Sequence, residues 1–278
     1  MNNFLRILIL SLVSIIFASG HAENLWKTGY RTILVEDTAH TEVIYVHIAN
    51  DRNVRKQQVK YERLSIGDKI TEYGGNDNYQ LDTVFLKKKE KNVKLTTQEA
   101  LDLRKEYEPI PESVTINREK GILNFYGKVF INRYKYSEPI PEIAWTLIDE
   151  TEEIMGHQCH KATARWRGRE WNAWYSDIPV DAGPWKFQGL PGLILKVEDT
   201  EGDHSIYAIG IENNVHPIGH PYKAYCKATR EKYNEAKEDY AINGNDMLVR
   251  SGMVKFKNEE EKNRIAARRK FYAPLELE

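Results

Sequence analysis

Short stretches of alternating apolar and polar residues follow one another along most of the chain. Residues 41–48 are rich in Val, Ile and Tyr, and residues 59–66 and 69–73 flank Gly67-Asp68, which suits a tight turn. The same pattern predicts strands at residues 81–86, 113–117, 122–136 and 145–148, with a loop at 74–78 and an irregular connector at 215–221. Successive short strands of this kind are typical of an antiparallel sheet.

Helical signals are fewer and lie between or after the strands. Thr96 and Glu99 have the spacing of a capping box, which predicts a helix that ends before Pro109. Residues 229–240 are charged and helical in character, and Asn258 caps a further predicted helix. We therefore predict a mainly β fold: a curved antiparallel sheet, open on one side like the half-barrels of the lipoprotein carriers LolA and LolB, with a few peripheral α-helices.

The first 22 residues have the features of a cleavable signal peptide. Arg6 is followed by an apolar run that is too short to span a bilayer, and small residues then lead to a cleavage point after Ala22. No later stretch is apolar enough to form a transmembrane anchor. The prediction is an exported, periplasmic protein, with association to the outer membrane as a further option, in which residues 23–278 form a single β-rich domain with a helical C-terminal segment.

The charge balance excludes one class of partner. The chain carries 40 basic and 41 acidic residues, a formal net charge of −1. A nucleic-acid-binding protein would show an excess of basic residues, so we predict no nucleic-acid partner.

Residues 161–175 predict a β-hairpin. Gly168 stands where a type II′ turn needs glycine, in a register that pairs Arg167 with Glu170. Alternation then puts Ala and aromatic residues on one face and mostly charged residues on the other. Two interpretations of the arginines on the charged face remain open. They are either ordinary exposed residues of a strand, or they bind an anion.

The next segment predicts an ordered loop, a turn and a half-buried strand. Residues 183–187 predict a compact loop held by two aromatic side chains. Pro191 and Gly192 suit a type II turn in which Gly192 has a positive φ. Leu193, Leu195 and Val197 then alternate with more polar neighbours, which predicts that these three side chains are buried.

This block, from residue 156 to residue 199, resembles the GLPGLI family of bacterial envelope proteins, and residues 273–277 are similar to that family's ending. The family has no established activity, so the resemblance implies residues of structural or binding importance and no catalytic role. Those residues are Arg167, Gly168, Arg169, Trp174, Gly183, Pro184, Trp185, Lys186, Phe187, Gly189, Leu190, Pro191 and Gly192.

No nucleotide-binding, hydrolase or metalloprotease motif is present, so no catalytic residue and no cofactor is predicted. His157, Cys159 and His160 are the one cluster that could bind Cu(I) or Zn(II), although alternation along a strand turns His160 away from the other two. An oxidising compartment and an even number of cysteines favour a Cys159–Cys226 disulfide.

These observations lead to three functional hypotheses. The first is a non-enzymatic accessory protein that binds an apolar or peptide ligand, or an outer-membrane protein. The second is a metal-handling protein that uses the region of His157 and Cys159, and the third is a hydrolase.

Overall fold

The computed structural model describes residues 25–278, so the predicted signal peptide at residues 1–22 lies outside the described residues. Within this range there are thirteen strands and four helices. The strands are Leu25–Lys27 (β1), Thr32–Asp51 (β2), Lys56–Gly67 (β3), Ile70–Gly75 (β4), Ser113–Asn117 (β5), Ile122–Val129 (β6), Asn132–Pro139 (β7), Thr146–Ile154 (β8), His157–Trp166 (β9), Arg169–Ser176 (β10), Ile194–Asp199 (β11), His204–Pro221 (β12) and Cys226–Lys227 (β13). The helices are Asn76–Glu90 (α1), Thr97–Tyr107 (α2), Arg230–Arg250 (α3) and Glu259–Ala266 (α4).

All thirteen described strands belong to one open, curved sheet, which confirms the predicted mainly β fold with few helices. Twelve of them lie side by side in the order β13-β7-β6-β5-β4-β3-β2-β12-β11-β10-β9-β8, and β1 pairs with part of β2. Every pairing is antiparallel except that of β13 with β7. The long strands β2 and β12 pair along most of their length and form the middle of the sheet.

One face of the sheet carries the main core. Register partners share a face, and a row of such partners crosses six strands from β2 to β7. Its members are all buried: Val43, Leu64, Tyr73, Val114, Phe125 and Tyr136. A second row starts at His47, four residues after Val43 on β2. It crosses β12, β11, β10 and β9 through Ile206, Val197, Ala173 and Ala162. We call the face that carries both rows the inner face.

Helix α1 replaces a predicted loop and strand. Gly74 and Gly75 end β4, and the helix begins at Asn76 and includes residues 81–86. The helical turn places Leu81 and Phe85 on one side, where Leu81 is buried and Phe85 contacts Tyr30 at 5.8 Å between ring centroids. This tertiary packing outweighs the strand-like composition of the segment. By contrast, the capping box of Thr96 and Glu99 at the start of α2 is confirmed.

Two further predicted boundaries were wrong. Residues 122–136 form two strands, because the chain turns after Val129 at Phe130, which has a φ of 53°. The predicted connector at 215–221 is part of β12, and two irregularities in its pairing with β2 accommodate the prolines there. Ile218 is fully buried against Ala39 and Ile70, so packing keeps this segment in the sheet.

Helix α3 is longer than the predicted helix at residues 229–240, and Asn258 caps α4 as predicted. Among the described residues, no helix combines the length and the apolar character that a membrane crossing requires.

Candidate functional site

The turn between β9 and β10 differs from the predicted one and changes which arginine is buried. Arg167 and Gly168 both have positive φ values, 51° and 77°, as in a type I′ turn, and Trp166 therefore pairs with Arg169. The predicted pairing of Arg167 with Glu170 was wrong. Glu170 lies opposite Arg165, whereas Arg169 shares the inner face with Trp166 and is itself buried.

Arg169 is held by two carboxylates and one carbonyl. It donates to Asp199 at 2.5 Å, to Asp203 at 3.1 Å and to the carbonyl oxygen of Pro274 at 2.8 Å. A guanidinium can make several such bonds at once, which suits a position where chain segments distant in sequence meet. Arg169 thus ties the β9–β10 hairpin to the C-terminal segment.

Lys186 is fully buried, although a lysine is rarely found without solvent contact. Its Nζ lies 3.0 Å from Glu138, 2.8 Å from Glu276 and 2.9 Å from the hydroxyl of Tyr136. Burial, reinforced by the two carboxylates, raises the pKa of Tyr136, so its hydroxyl stays protonated. The ammonium also lies 5.6 Å from the centre of the Trp185 ring.

Two arginines complete this buried charge cluster. Arg167 lies 3.2 Å from Glu138, and Arg230 lies 3.6 Å from Glu276. Three cations therefore share two carboxylates. Such a cluster is stable only while every partner is present, because a buried charge that loses its partner is costly.

The C-terminal segment, residues 270–277, runs through this cluster without regular secondary structure and bends at Leu275. Its backbone is held at several points: the Tyr272 amide donates to Asp51 at 2.7 Å, and the Leu277 amide donates to the Arg167 carbonyl at 2.9 Å. A Cβ on Gly168 would come within 2.8 Å of Leu277. The two stretches that carry the family resemblance, about a hundred residues apart in sequence, therefore contact each other.

The rest of the block forms a second, smaller core around Phe187. Its ring lies 4.7 Å from Trp171 and 5.3 Å from Trp166 between centroids, and Leu190 packs into the same cluster. The Phe187 amide donates to the carbonyl of Pro184 at 3.1 Å, which makes the predicted compact loop. Gly189 has a φ of 87°. The glycine in a left-handed conformation is therefore Gly189, which lies before the predicted turn at Pro191 and Gly192.

Gly192 is needed for space and not for its φ. Its φ is not positive, so the prediction of a left-handed conformation was wrong. A Cβ at this position would lie 1.8 Å from the carbonyl oxygen of Ser176, and only glycine permits this approach. The buried positions of Leu193, Leu195 and Val197 are confirmed.

Trp174 takes no part in the charge cluster. It is mostly buried beside Lys196, whose Nζ lies 4.1 Å from the ring centre. It covers the sheet on the side away from Ala173.

A cavity of about 180 Å³ opens next to the C-terminal segment. Six aromatic side chains line it: Phe125, Tyr136, Trp185, Tyr233, Phe271 and Tyr272. The rings of the first four pack on one another; those of Phe125 and Tyr136 stack at 4.6 Å, for example. Rings with polar edges suit a ligand that is partly apolar and partly hydrogen-bonding.

His47 and Glu62 line this cavity and belong to a chain of buried polar side chains. The Tyr73 hydroxyl donates to Glu62, which lies 3.0 Å from His47, and the second nitrogen of His47 lies 3.1 Å from His204. His204 in turn meets the Pro274 carbonyl at 3.1 Å. Burial and then the positive fields of His47 and Arg169 lower the pKa of His204 to about 3.

This chain of polar residues is not apparent from the sequence. Its residues belong to β3, β4, β2, β12 and the C-terminal segment, and no local spacing connects them. In a hydrolase of the Ser–His–acid type, the second nitrogen of the histidine would face a hydroxyl, whereas that of His47 faces His204.

The cysteines and histidines of the predicted metal candidates do not form a cluster. Cys159 is fully buried, His160 is exposed, and His157 lies 3.6 Å from Asp177 at the surface. Within residues 25–278, no group of three or more His, Cys, Asp or Glu side chains could hold a metal ion.

Cys159 and Cys226 are both free in this structure, so the predicted disulfide is not formed here. Cys159 belongs to the buried core at β9, and Cys226 is exposed on the edge strand β13. Burial raises the pKa of the Cys159 thiol to about 11, which makes it a poor nucleophile.

Comparison with known proteins gives a match within this same block. Residues 167–196 match Porph_ging, a family described as proteins of unknown function. No curated protein matches this chain. Two structures of PNGF-II, in space groups C2 and P21, each show 16% identity and a TM-score of 0.46; the match covers 74% of this chain and 34% of theirs. The chain thus spans about a third of the length of those structures. The segment that matches the family of unknown function, residues 167–196, contributes Arg167 and Lys186 to the charge cluster and Phe187 to the second core.

Proposed function

We propose that this is a non-enzymatic binding protein whose inner face holds an apolar or peptide ligand beside the C-terminal segment. The observation that carries the proposal is that a peptide segment of the chain, residues 270–277, already lies there. Backbone groups and side chains of that segment are bound by Asp51, Arg167, Arg169 and Lys186. The fold thus binds a peptide segment through its backbone as well as through its side chains.

The cavity next to this segment supplies the apolar half of the site. Its aromatic lining and its volume of about 180 Å³ suit a single ring or a branched side chain. The predicted export supports a place for such a protein in the periplasm, where its partner would be an envelope component. The GLPGLI resemblance of residues 183–194 supports the same setting.

The test titrates 4-methylphenol, a small probe with a single ring and one hydroxyl, into the purified protein and follows its binding by isothermal titration calorimetry. We expect saturable binding that a Gln58→Trp substitution weakens at least tenfold. Gln58 is exposed and lines the cavity, so a new ring there fills the space without disturbing the core.

Gln57→Trp is the matched control, because its side chain points to the opposite face of β3. It should leave the probe affinity unchanged. Equal affinity in Gln58→Trp, or no saturable binding in the native protein, would refute the proposed site.

A further inference from the structure

A second and larger cavity, of about 290 Å³, lies on the other face of the sheet. Arg63 and Glu72 line it, and each is next in sequence to a residue of the inner-face core, Leu64 or Tyr73. Helix α1, the loop after α2, the β6–β7 hairpin and residues 221–225 surround the opening. None of the residues with the family resemblance lines this cavity.

The cavity is strongly basic, although the whole chain has a formal net charge of −1. Glu72 is the one acidic residue in its lining. Six basic residues line it: Arg31, Arg63, Arg104, Lys128, Arg133 and Lys223. Charge is therefore concentrated here and not spread over the surface.

Two of these cations are neutralised within the protein. Arg31 lies 3.0 Å from Glu72 and also contacts Asp82, and Arg63 contacts Glu42. They form the floor of the cavity and are buried or nearly so.

The other four cations, Arg104, Lys128, Arg133 and Lys223, make no ion pair within residues 25–278. All four are exposed around the opening. Partial burial, followed by the positive charges of Arg133, Arg104 and Arg31, lowers the pKa of Lys223. Like charges are thus held close enough to act on one another, which disfavours the unoccupied cavity and favours an anion in it.

The remaining lining adds hydrogen-bond donors and flat rings. Tyr30, Tyr79 and Tyr225 line the walls, and the guanidinium of Arg63 lies 4.0 Å from the Tyr79 ring centre. Helix α1 begins at the cavity, and its N-cap residue, Gly75, has no side chain to satisfy the first amides. The positive end of this helix adds to the field of the side chains.

We infer that this cavity binds a small ligand through a multiply charged phosphate group. Guanidinium groups match phosphate oxygens in pairs, and four unpaired cations match a group with more than one negative charge. The tyrosines would hold the organic part of the same molecule. The phosphate could belong to a soluble phosphorylated compound or to a phospholipid headgroup.

Isothermal titration calorimetry with inorganic pyrophosphate at low ionic strength tests the shared chemistry. We expect one site per chain. The triple variant R104Q/R133Q/K223Q should bind about a thousandfold more weakly, at about tenfold for each of the three charge-assisted bonds removed. Co-sedimentation with phosphatidylcholine vesicles, with and without phosphatidic acid, whose phosphomonoester can carry two negative charges, tests the headgroup.

The control variant K56Q/K94Q/K255Q removes the same charge from exposed lysines outside the cavity. The inference is supported if R104Q/R133Q/K223Q loses pyrophosphate or vesicle binding and the control variant does not. The probe that binds then identifies the source of the phosphate. Binding of neither probe, or equal losses in both triple variants, would overturn it. The Gln58→Trp variant should bind pyrophosphate normally, so failure here is distinguishable from failure of the proposed function.

Discussion

Gly192 shows how a single hydrogen in place of a side chain fixes the path of a strand. The Ser176 carbonyl occupies the space that a Cβ would need, so even alanine requires β10 and the turn before β11 to separate. We expect Gly192→Ala to reduce the free energy of unfolding by about 3 kcal/mol, as for a severe overpacking of the core. Urea unfolding followed by tryptophan fluorescence measures this.

Gly210→Ala is the matched control for that substitution. Gly210 also has no positive φ, and the nearest atom to a Cβ there is Ile44 at 3.9 Å. It should change the stability by less than about 0.5 kcal/mol. A Gly192→Ala protein as stable as the Gly210→Ala protein would contradict the steric explanation.

His204 makes the stability depend on pH. Its pKa is about 3 in the folded protein and 6.5 in a solvated chain, so between these values only the unfolded state binds the proton. Stability is therefore unaffected above pH 6.5 and falls as the pH drops below it. We expect a loss of about 2 kcal/mol between pH 7.5 and pH 5.0, measured by urea unfolding.

His204→Gln keeps an amide that can reach the Pro274 carbonyl but cannot titrate. The variant should lose much less stability over the same pH interval. Glu42, Glu62 and Asp203 do not interfere, because their pKa values are lowered from 4.5 or less and they titrate below this window. Burial raises the pKa of Asp82, but this residue is the same in both proteins and so cancels in the comparison. An equal loss in both proteins would show that another group is responsible.

Among the elements, the C-terminal segment is anchored by the side chain of Glu276. Glu276 accepts bonds from Lys186 and from the Trp185 indole at 3.0 Å, and it is buried. We expect Glu276→Gln to cost about 3 kcal/mol of stability, because Lys186 would keep its charge with one carboxylate fewer. Glu278→Gln, at an exposed position two residues further on, should have no effect on urea unfolding.

The elements also show where the sequence was informative. Residues 59–73 gave the right hairpin because their alternation and their turn residues agree. Helix α1 could not be predicted in this way, since its helical face is defined by the contacts of Leu81 and Phe85 with other segments. The importance of Lys186 was visible from the family resemblance, but its partners Glu138 and Glu276 were not, because they lie 48 and 90 residues away in the chain.

At the scale of the whole molecule, the sheet has a protected middle and two open edges. The edge strand β8 pairs with β9 alone and carries Asp149, Glu150, Glu152 and Glu153, charges that discourage pairing with another chain. Hydrogen exchange followed by mass spectrometry should find the slowest amides in β2 and the fastest strand amides in β8. Comparable protection of β8 would show that this edge is covered in solution.

The fold class followed from the sequence because many short alternating segments point to the same architecture. The two cavities did not follow from it. Each is lined by residues from at least six separate parts of the chain, and their charge or aromatic character appears only when the sheet brings those parts together.

The position of residues 270–277 in the chain has a consequence for biosynthesis. All thirteen described strands precede this segment, so a chain that is exported N-terminus first, as predicted, can form the sheet before Glu276 emerges. Until then Lys186 has one carboxylate partner, and the place that residues 270–277 will occupy on the inner face is open to another peptide segment. Residues 270–277 therefore complete the molecule, and their removal would leave Lys186 with Glu138 alone and that place unfilled.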